Sequence, residues 1–334
     1  MIHVGTHGRW ENIIFQPTQK VIQSAADMLR SGQLVAFPTE TVYGLGADAT
    51  NDDAVAAIFR AKGRPQTNPL IIHVPGASQA SKLVRFDARA ERVADAFWPG
   101  ALTLVLERTA DCPVTARASA GLSTLAVRSP NHPIAQAVLQ ASEIPLAAPS
   151  ANLSGHVSPT TAQHVGDGFD GAVDMILDGG PSTIGVESTV VALDRATPEI
   201  LRPGAISAEA LADTLGVAVK TLTPSNEEMT RIPARSPGMM RSHYAPRAEI
   251  RLNATAVSGD EGFLAFGDAA PHGAAITRNL SEAANLGEAA GRLYAALRDL
   301  DQSGVNVIAV APIPNIGIGV AINDRLGRAA APRS

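Results

Sequence analysis

Through residue 220, short apolar runs alternate with stretches of helical periodicity. Residues 33–37, 70–74, 102–106, 124–127, 175–177 and 188–193 are apolar-rich runs bounded by polar or turn residues, a pattern that predicts strands. Residues 52–62 predict a helix instead. Val55, Ile58 and Phe59 recur on one face, Asn51 or Asp52 can cap the start, and Gly63 can end it. Residues 133–141 and 208–215 read alike. Strands and helices in alternation argue for a layered α/β architecture.

The pattern breaks at residue 221. Residues 221–247 hold Pro224, Pro233, Pro237 and Pro246 with Gly238, which marks a linker or an extended functional loop. Regular patterning returns at residue 248. Residues 262–267 and 305–311 predict strands, and residues 281–301 predict a long helix with Leu286, Leu293, Leu297 and Leu300 on one face. The expected organisation is a first domain over residues 1–220, a connecting segment over 221–247 and a small α/β domain over 248–334. The connecting segment also carries Met239, Met240, His243 and Tyr244, suited to packing on a ligand, and Arg231, Arg235, Arg241 and Arg247, suited to phosphates. It is expected to act as a lid as well as a tether, against the alternative of a plain solvated linker.

Composition narrows the classes. The chain has 334 residues, 45% of them hydrophobic and 18% charged, an ordinary globular balance. It has no run of apolar residues long enough to predict a membrane span, and its first residues lack a signal peptide's apolar core. Cys112 is the single cysteine, so neither an intrachain disulfide nor a Cys-based zinc site is available. These features fit a cytoplasmic protein with no membrane partner. The net charge of −5 is unlike that of a non-specific nucleic-acid binder, whose affinity comes from phosphate neutralisation.

Familiar nucleotide motifs fail. Gly44-Leu-Gly46-Ala-Asp-Ala49 matches a loose dinucleotide fingerprint, but residues 54–86 contain no acid to hold a ribose. A Walker-type phosphate loop and an H-E-x-x-H metal motif are both missing. The acid-free stretch instead carries Arg60, Lys62, Arg64, Lys82 and Arg85, and Lys62-Gly-Arg64-Pro sits where a helix ends, an arrangement suited to a polyanion. Lys62 could equally serve only to complement the helix's negative end. Pro149-Ser150-Ala-Asn152-Leu-Ser154-Gly, followed by Ser158-Pro-Thr-Thr, offers small hydrogen-bonding groups around which a substrate could approach the backbone, or a plain turn and helix cap. Arg128 closes a predicted strand, where it could clamp a carboxylate or stand exposed as a strand-end charge.

Together these pieces resemble the YrdC-type threonylcarbamoyl-AMP synthases. The resemblance rests on Pro38-Thr-Glu-Thr-Val-Tyr-Gly-Leu-Gly46, Lys62-Gly-Arg64-Pro, Asn68-Pro-Leu, Phe97-Trp-Pro-Gly100, Arg128, Pro149-Ser-Ala-Asn152, Ser154-Gly, Glu187-Ser-Thr189 and Leu201-Arg-Pro-Gly204. Ser236-Pro-Gly-Met with His243-Tyr-Ala-Pro246, and the domain after it, is similar to the longer two-domain branch of that family. It implies a twisted open mixed α/β sheet with a concave cavity, plus a small Rossmann-like C-terminal domain. It implies conversion of L-threonine, bicarbonate and ATP to threonylcarbamoyl-AMP and pyrophosphate, the product passing to the machinery that modifies adenosine 37 of tRNA.

Carried over by position, the resemblance makes Lys62, Arg64, Ser150 and Asn152 a catalytic tetrad. It places Thr41, His73, Arg128, Ala148 and Ser188 on threonine, and Arg64, Asn68, Thr124, Ser150, Ser158, Arg202 and Tyr244 on ATP. Mg²⁺ is expected with ATP, held mainly by phosphates and water rather than by protein ligands. Two rivals stand beside this reading. One is a non-enzymatic factor holding double-stranded RNA by shape, or at least a weak RNA contact; an aromatic content of 4% argues against stacking on bases. The other is a relative that forms carbamoyl-adenylate, whose acylphosphatase and zinc-finger modules this chain lacks.

Overall fold

The computed structural model describes residues 13–169, 171–222, 243–268 and 273–332. In chain order it contains β1 (Ile14–Phe15), α1 (Gln19–Arg30), β2 (Val35–Phe37), β3 (Gly44–Asp48), α2 (Asp52–Lys62), β4 (Ile71–His73), α3 (Ala77–Ala80) and α4 (Ala88–Phe97). Then come β5 (Leu102–Glu107), β6 (Thr124–Arg128), α5 (Pro133–Ser142), β7 (Leu146–Ala147), α6 (Ala162–Phe169), β8 (Met175–Leu177), β9 (Thr189–Ala192), β10 (Glu199–Arg202), α7 (Ala208–Leu215) and β11 (Lys220–Thr221). The C-terminal part contributes β12 (Glu249–Arg251), β13 (Gly262–Ala265), β14 (Ile276–Asn279), α8 (Leu286–Gln302), β15 (Val307–Val310) and α9 (Gly319–Ala329).

The first eleven strands form one mixed sheet in the order β1-β8-β2-β3-β7-β4-β6-β5-β9-β10-β11. Strand periodicity assigns its faces. Leu34 and Ala36 point to one side, where α2, α4, α6 and α7 cover the sheet with Val55, Ile58, Val93, Val165 and Leu211. Val35 and Phe37 point to the other, where α1 and α5 pack Ile22, Leu29, Val138 and Leu139 against them. Farther along this second side, Ile71, Val105, Ala126, Val190, Ala192 and Leu201 make a separate small cluster. His73 lies two residues from Ile71, Arg128 two from Ala126, and Ser188 two from Val190, so alternation puts all three on this same face. Pairing in register brings His73 beside Arg128 and Arg128 beside Thr103.

Several expectations hold at the level of local structure. The helix over residues 52–62 forms as expected, with Asn51 Oδ1 accepting from the Asp53 and Ala54 amides and Gly63 ending it at φ +57°. Other elements are corrected. The helix expected over residues 281–301 starts at Leu286, because Asn285 caps it by accepting from the Glu288 amide. The Gly44–Gly46 run, which the sequence left without an assigned element, is part of β3, antiparallel to β2. Gly46 is required for packing: a Cβ there would stand 2.7 Å from the Phe37 ring. The short apolar runs did not reveal β10 or β12, nor did helical patterning single out α1, α4 or α9.

The C-terminal part is a parallel four-stranded sheet, order β12-β15-β13-β14, flanked by α8 and α9. Its core does not stop at the domain boundary. Leu293, Tyr294, Leu297 and Leu326 pack with Val42, Val157 and Val186 of the first part in one buried cluster. Gly185 makes the close approach possible: it has φ +77°, and a Cβ there would meet Ala290 O at 2.4 Å.

Candidate functional site

A pocket opens on the face that carries His73 and Arg128. Thr41, Gly44, Arg64, His73, Arg128, Ala148, Ser150, Glu187, Arg202, His243 and Tyr244 are among the residues that line it. Its open space is narrow, about 40 Å³.

Within it, Arg128 is buried at the close of β6. Its Nη2 donates to Glu40 Oε1 (2.6 Å), its Nη1 to Thr41 Oγ1 (2.9 Å) and its Nε to Gly100 O (3.2 Å). The alternative of an exposed strand-end charge is therefore overturned: β6 lies inside the sheet, so its end is covered. His73 stands beside it, edge-on to Phe37. Burial, and then the Arg128 charge, push His73 down to about 3, so the imidazole is neutral. Thr41 bonds to Thr39 at 2.9 Å, and the Ala148 amide donates to Ile71 O (3.0 Å).

Two more buried guanidiniums line the same pocket. Arg64 follows the left-handed turn at Gly63, donating from Nε to Asn68 O (3.2 Å) and from Nη2 to Pro69 O (2.9 Å). Burial is the main cause of its fall to about 10, with Arg202 adding to it. Arg202 donates from Nε and Nη2 to Ser188 O (3.1 and 3.0 Å) and from Nη2 to Ser188 Oγ (3.1 Å). Arg64, Arg128 and Arg202 are thus all buried in the pocket wall rather than displayed on an open surface.

The remaining sequence-predicted residues sit behind the wall. The Lys62 ammonium donates to the backbone carbonyls of Ser150 (2.6 Å) and Asn152, so it holds the loop that presents Ser150. Beyond complementing the end of its helix, the ammonium thus has a structural task, in which two of its three N–H groups are engaged. Burial, then Arg64, lowers the Lys62 pKa. Asn152 Nδ2 donates to Leu153 O (2.7 Å) and His156 O (2.9 Å), tying the same loop to itself. Ser158 donates to Glu187 Oε1 (2.6 Å), Ser188 bonds to Thr103 (2.7 Å), and Asn68 is buried beside Arg64. Thr124 begins β6, opposite Glu107 and at the other end of the strand from Arg128.

Glu40 and Glu187 were visible as members of motifs but carried no assigned role, because nothing local told which partners they would meet. Most of the expected lid over residues 221–247 lies outside the described residues. Its end does not: Tyr244 lines the pocket in a left-handed conformation (φ +63°), fully buried, with His243 beside it at 4.0 Å between ring centroids.

A mixed α/β sheet with a pocket of buried guanidiniums, a neutral imidazole and small hydroxyl groups defines a binder of small anionic and zwitterionic ligands. The comparisons place it more closely. The Sua5/YciO/YrdC family model, described as telomere recombination, matches residues 27–204, and the model of the threonylcarbamoyl-AMP synthase C-terminal domain matches residues 206–331. The chain belongs to the Sua5/YciO/YrdC family, in its form with the Sua5 C-terminal domain. The threonylcarbamoyl-AMP synthase of Bacillus subtilis is 42% identical across 93% of both chains, and that of Pyrococcus abyssi 41% identical across 93% of this chain and 94% of its own. The crystal structure of P. abyssi Sua5 complexed with L-threonine superposes with a TM-score of 0.86 at 37% identity, covering 95% of this chain and 96% of that one. Among the described residues, no helix is long and apolar enough to cross a membrane.

Proposed function

We propose that this chain is a threonylcarbamoyl-AMP synthase, taking L-threonine, bicarbonate and ATP to threonylcarbamoyl-AMP and pyrophosphate. The observation that carries the reading is a single pocket lined by Arg128 and neutral His73 and also by Arg64 and Arg202. Arg128 takes the threonine carboxylate: each of its terminal nitrogens has a second N–H beyond those given to Glu40 and Thr41. Neutral His73, Thr41 and Ala148 line the pocket with it.

The amine of threonine and bicarbonate combine with loss of water to give N-carboxythreonine. A carbamate oxygen attacks the α-phosphorus of ATP, and the bond to the β-phosphate oxygen breaks as pyrophosphate leaves. Little covalent work falls to the protein, so positioning and charge stabilisation dominate. Arg64 and Arg202 supply positive charge, and Ser150, on the loop held by Lys62 and Asn152, supplies a hydrogen-bonding group. Tyr244 lines the same pocket, and Asn68, Ser158 and Ser188 hold its wall through Arg64, Glu187 and Arg202. A narrow, largely buried site also protects the carbamate and the mixed anhydride from water.

Mg²⁺ enters with ATP. The lining carboxylate Glu187 has both oxygens bonded to protein groups, so the ion would be held by ATP and water rather than by the protein, and would supply neutralising charge. The product then passes to the tRNA threonylcarbamoyl transfer step, and a cytoplasmic location suits that role.

Mass spectrometry of products from ATP, bicarbonate and labelled threonine tests the proposal. Threonylcarbamoyl-AMP with pyrophosphate, dependent on both threonine and bicarbonate, is expected. ADP and phosphate as principal products, or turnover without threonine, would reject it.

A further inference from the structure

The C-terminal domain brings no catalytic motif, yet two of its side chains end in the pocket wall of the first domain. Arg325, on α9, has a side chain 1% exposed and donates from Nε to Glu187 Oε2 (2.7 Å) and from Nη2 to Pro203 O (3.0 Å). The Tyr294 hydroxyl, from α8, stands 2.9 Å from Glu187 Oε2 and 3.2 Å from Oε1. Ser158 donates to Oε1 at 2.6 Å, so both oxygens of this pocket-lining carboxylate are bonded. The same two side chains frame Tyr244: the Arg325 guanidinium carbon lies 5.2 Å from its ring centroid, and the Tyr294 ring stacks on it at 5.9 Å and 25°.

A carboxylate in the wall of a triphosphate pocket is an electrostatic liability. Burial raises the Glu187 pKa, but the Arg325 and Arg202 charges outweigh that and hold it at about 2, so the group is ionised. Removing one partner of such a pair leaves a buried charge uncompensated, which costs far more than the pair itself contributes. Without Arg325, the Glu187 charge would oppose incoming phosphates and compete for Arg202, whose guanidinium now donates to Ser188.

We propose that Arg325 is a positioning residue for ATP binding, through which the C-terminal domain neutralises Glu187, orients the Ser158 hydroxyl and seats the Tyr244 ring. The proposal rests on the synthase reading above. Tyr294 has the supporting role of a second donor to the same carboxylate, and the shared core around Val186, Leu293 and Leu297 keeps α8 and the Glu187 loop in fixed register.

The test is calorimetric binding of MgATP and of threonine to the full-length chain, as wild type, Arg325→Met and Arg325→Met/Glu187→Gln. Arg325→Met should weaken MgATP binding by about tenfold or more and threonine binding by less than about threefold. Adding Glu187→Gln removes the uncompensated charge and should recover most of the lost MgATP affinity. Unchanged MgATP affinity in Arg325→Met, equal losses for both ligands, or a double variant no better than the single would overturn the proposal. If Arg325→Met does not fold, Arg325→Lys carries the test, since it keeps the charge but loses the fork that spans Glu187 and Pro203. It should weaken MgATP several-fold and spare threonine, and wild-type MgATP affinity in that variant would overturn the proposal. A wild-type chain that binds neither ligand would count against the synthase reading itself.

Discussion

Arg128 and Glu40 form a buried ion pair, Nη2 to Oε1 at 2.6 Å, with side chains 5% and 7% exposed. The second oxygen, Glu40 Oε2, has no hydrogen-bond partner among the described residues. Arg128 is thus oriented before any ligand arrives, its planar group pinned by Glu40, Thr41 and Gly100.

Arg128→Lys should therefore weaken threonine binding much more than ATP binding. A lysine keeps the charge but cannot hold Glu40, Thr41 and a carboxylate in one plane. Calorimetry with each ligand separately checks this, and equal losses would remove Arg128 from the threonine site.

Lys62→Ala should lower turnover by roughly 10²-fold, because the loop that presents Ser150 loses its anchor and small displacements at a reacting site cost about that much. It should also lower stability by about 1–3 kcal/mol, because the carbonyls of Ser150 and Asn152 lose a buried donor. Melting temperature and rate measured on the same variant decide. A normal rate would show that the loop keeps its place without the ammonium.

Tyr244→Ala should raise the KM for ATP about tenfold or more, while Tyr244→Phe stays near wild type. The expectation follows from the ring: it stacks on Tyr294 and lies under Arg325, and that packing rather than the hydroxyl accounts for its place in the wall. Steady-state kinetics with threonine saturating provide the readout. Equal damage from both substitutions would assign the work to the hydroxyl.

Stability should fall as the solution is made acidic from about pH 6.5, the ordinary histidine value. Burial, then Arg128, pushes His73 down to about 3, and burial, then Arg298, pushes His164 down to about 4, against an opposing effect of Asp299. The unfolded chain then binds more protons than the native one between the two values, so protonation favours unfolding and the contribution is whole only above pH 6.5. His164→Gln, away from the pocket, should flatten the melting-temperature slope between pH 4 and 6.5. A slope identical to the wild type's would show that His164 titrates normally.

Local chemistry was readable without the fold. Asn51 and Gly63 bound α2 because a cap and a left-handed turn are decided within a few residues, and Arg128 was legible as the residue closing an apolar strand. The resemblance of short motifs likewise singled out Arg64, Ser150 and Arg202. What the tertiary structure alone decided were partners distant in sequence: Arg128 with Glu40, 88 residues apart, Lys62 with the carbonyl of Asn152, 90 apart, and Arg325 with Glu187, 138 apart. Those pairings follow from strand order and from the packing of α8 and α9 against the first domain, which no local pattern specifies. Burial then sets their strength, since an ion pair or a donated hydrogen bond counts for little in water and for much where water is excluded.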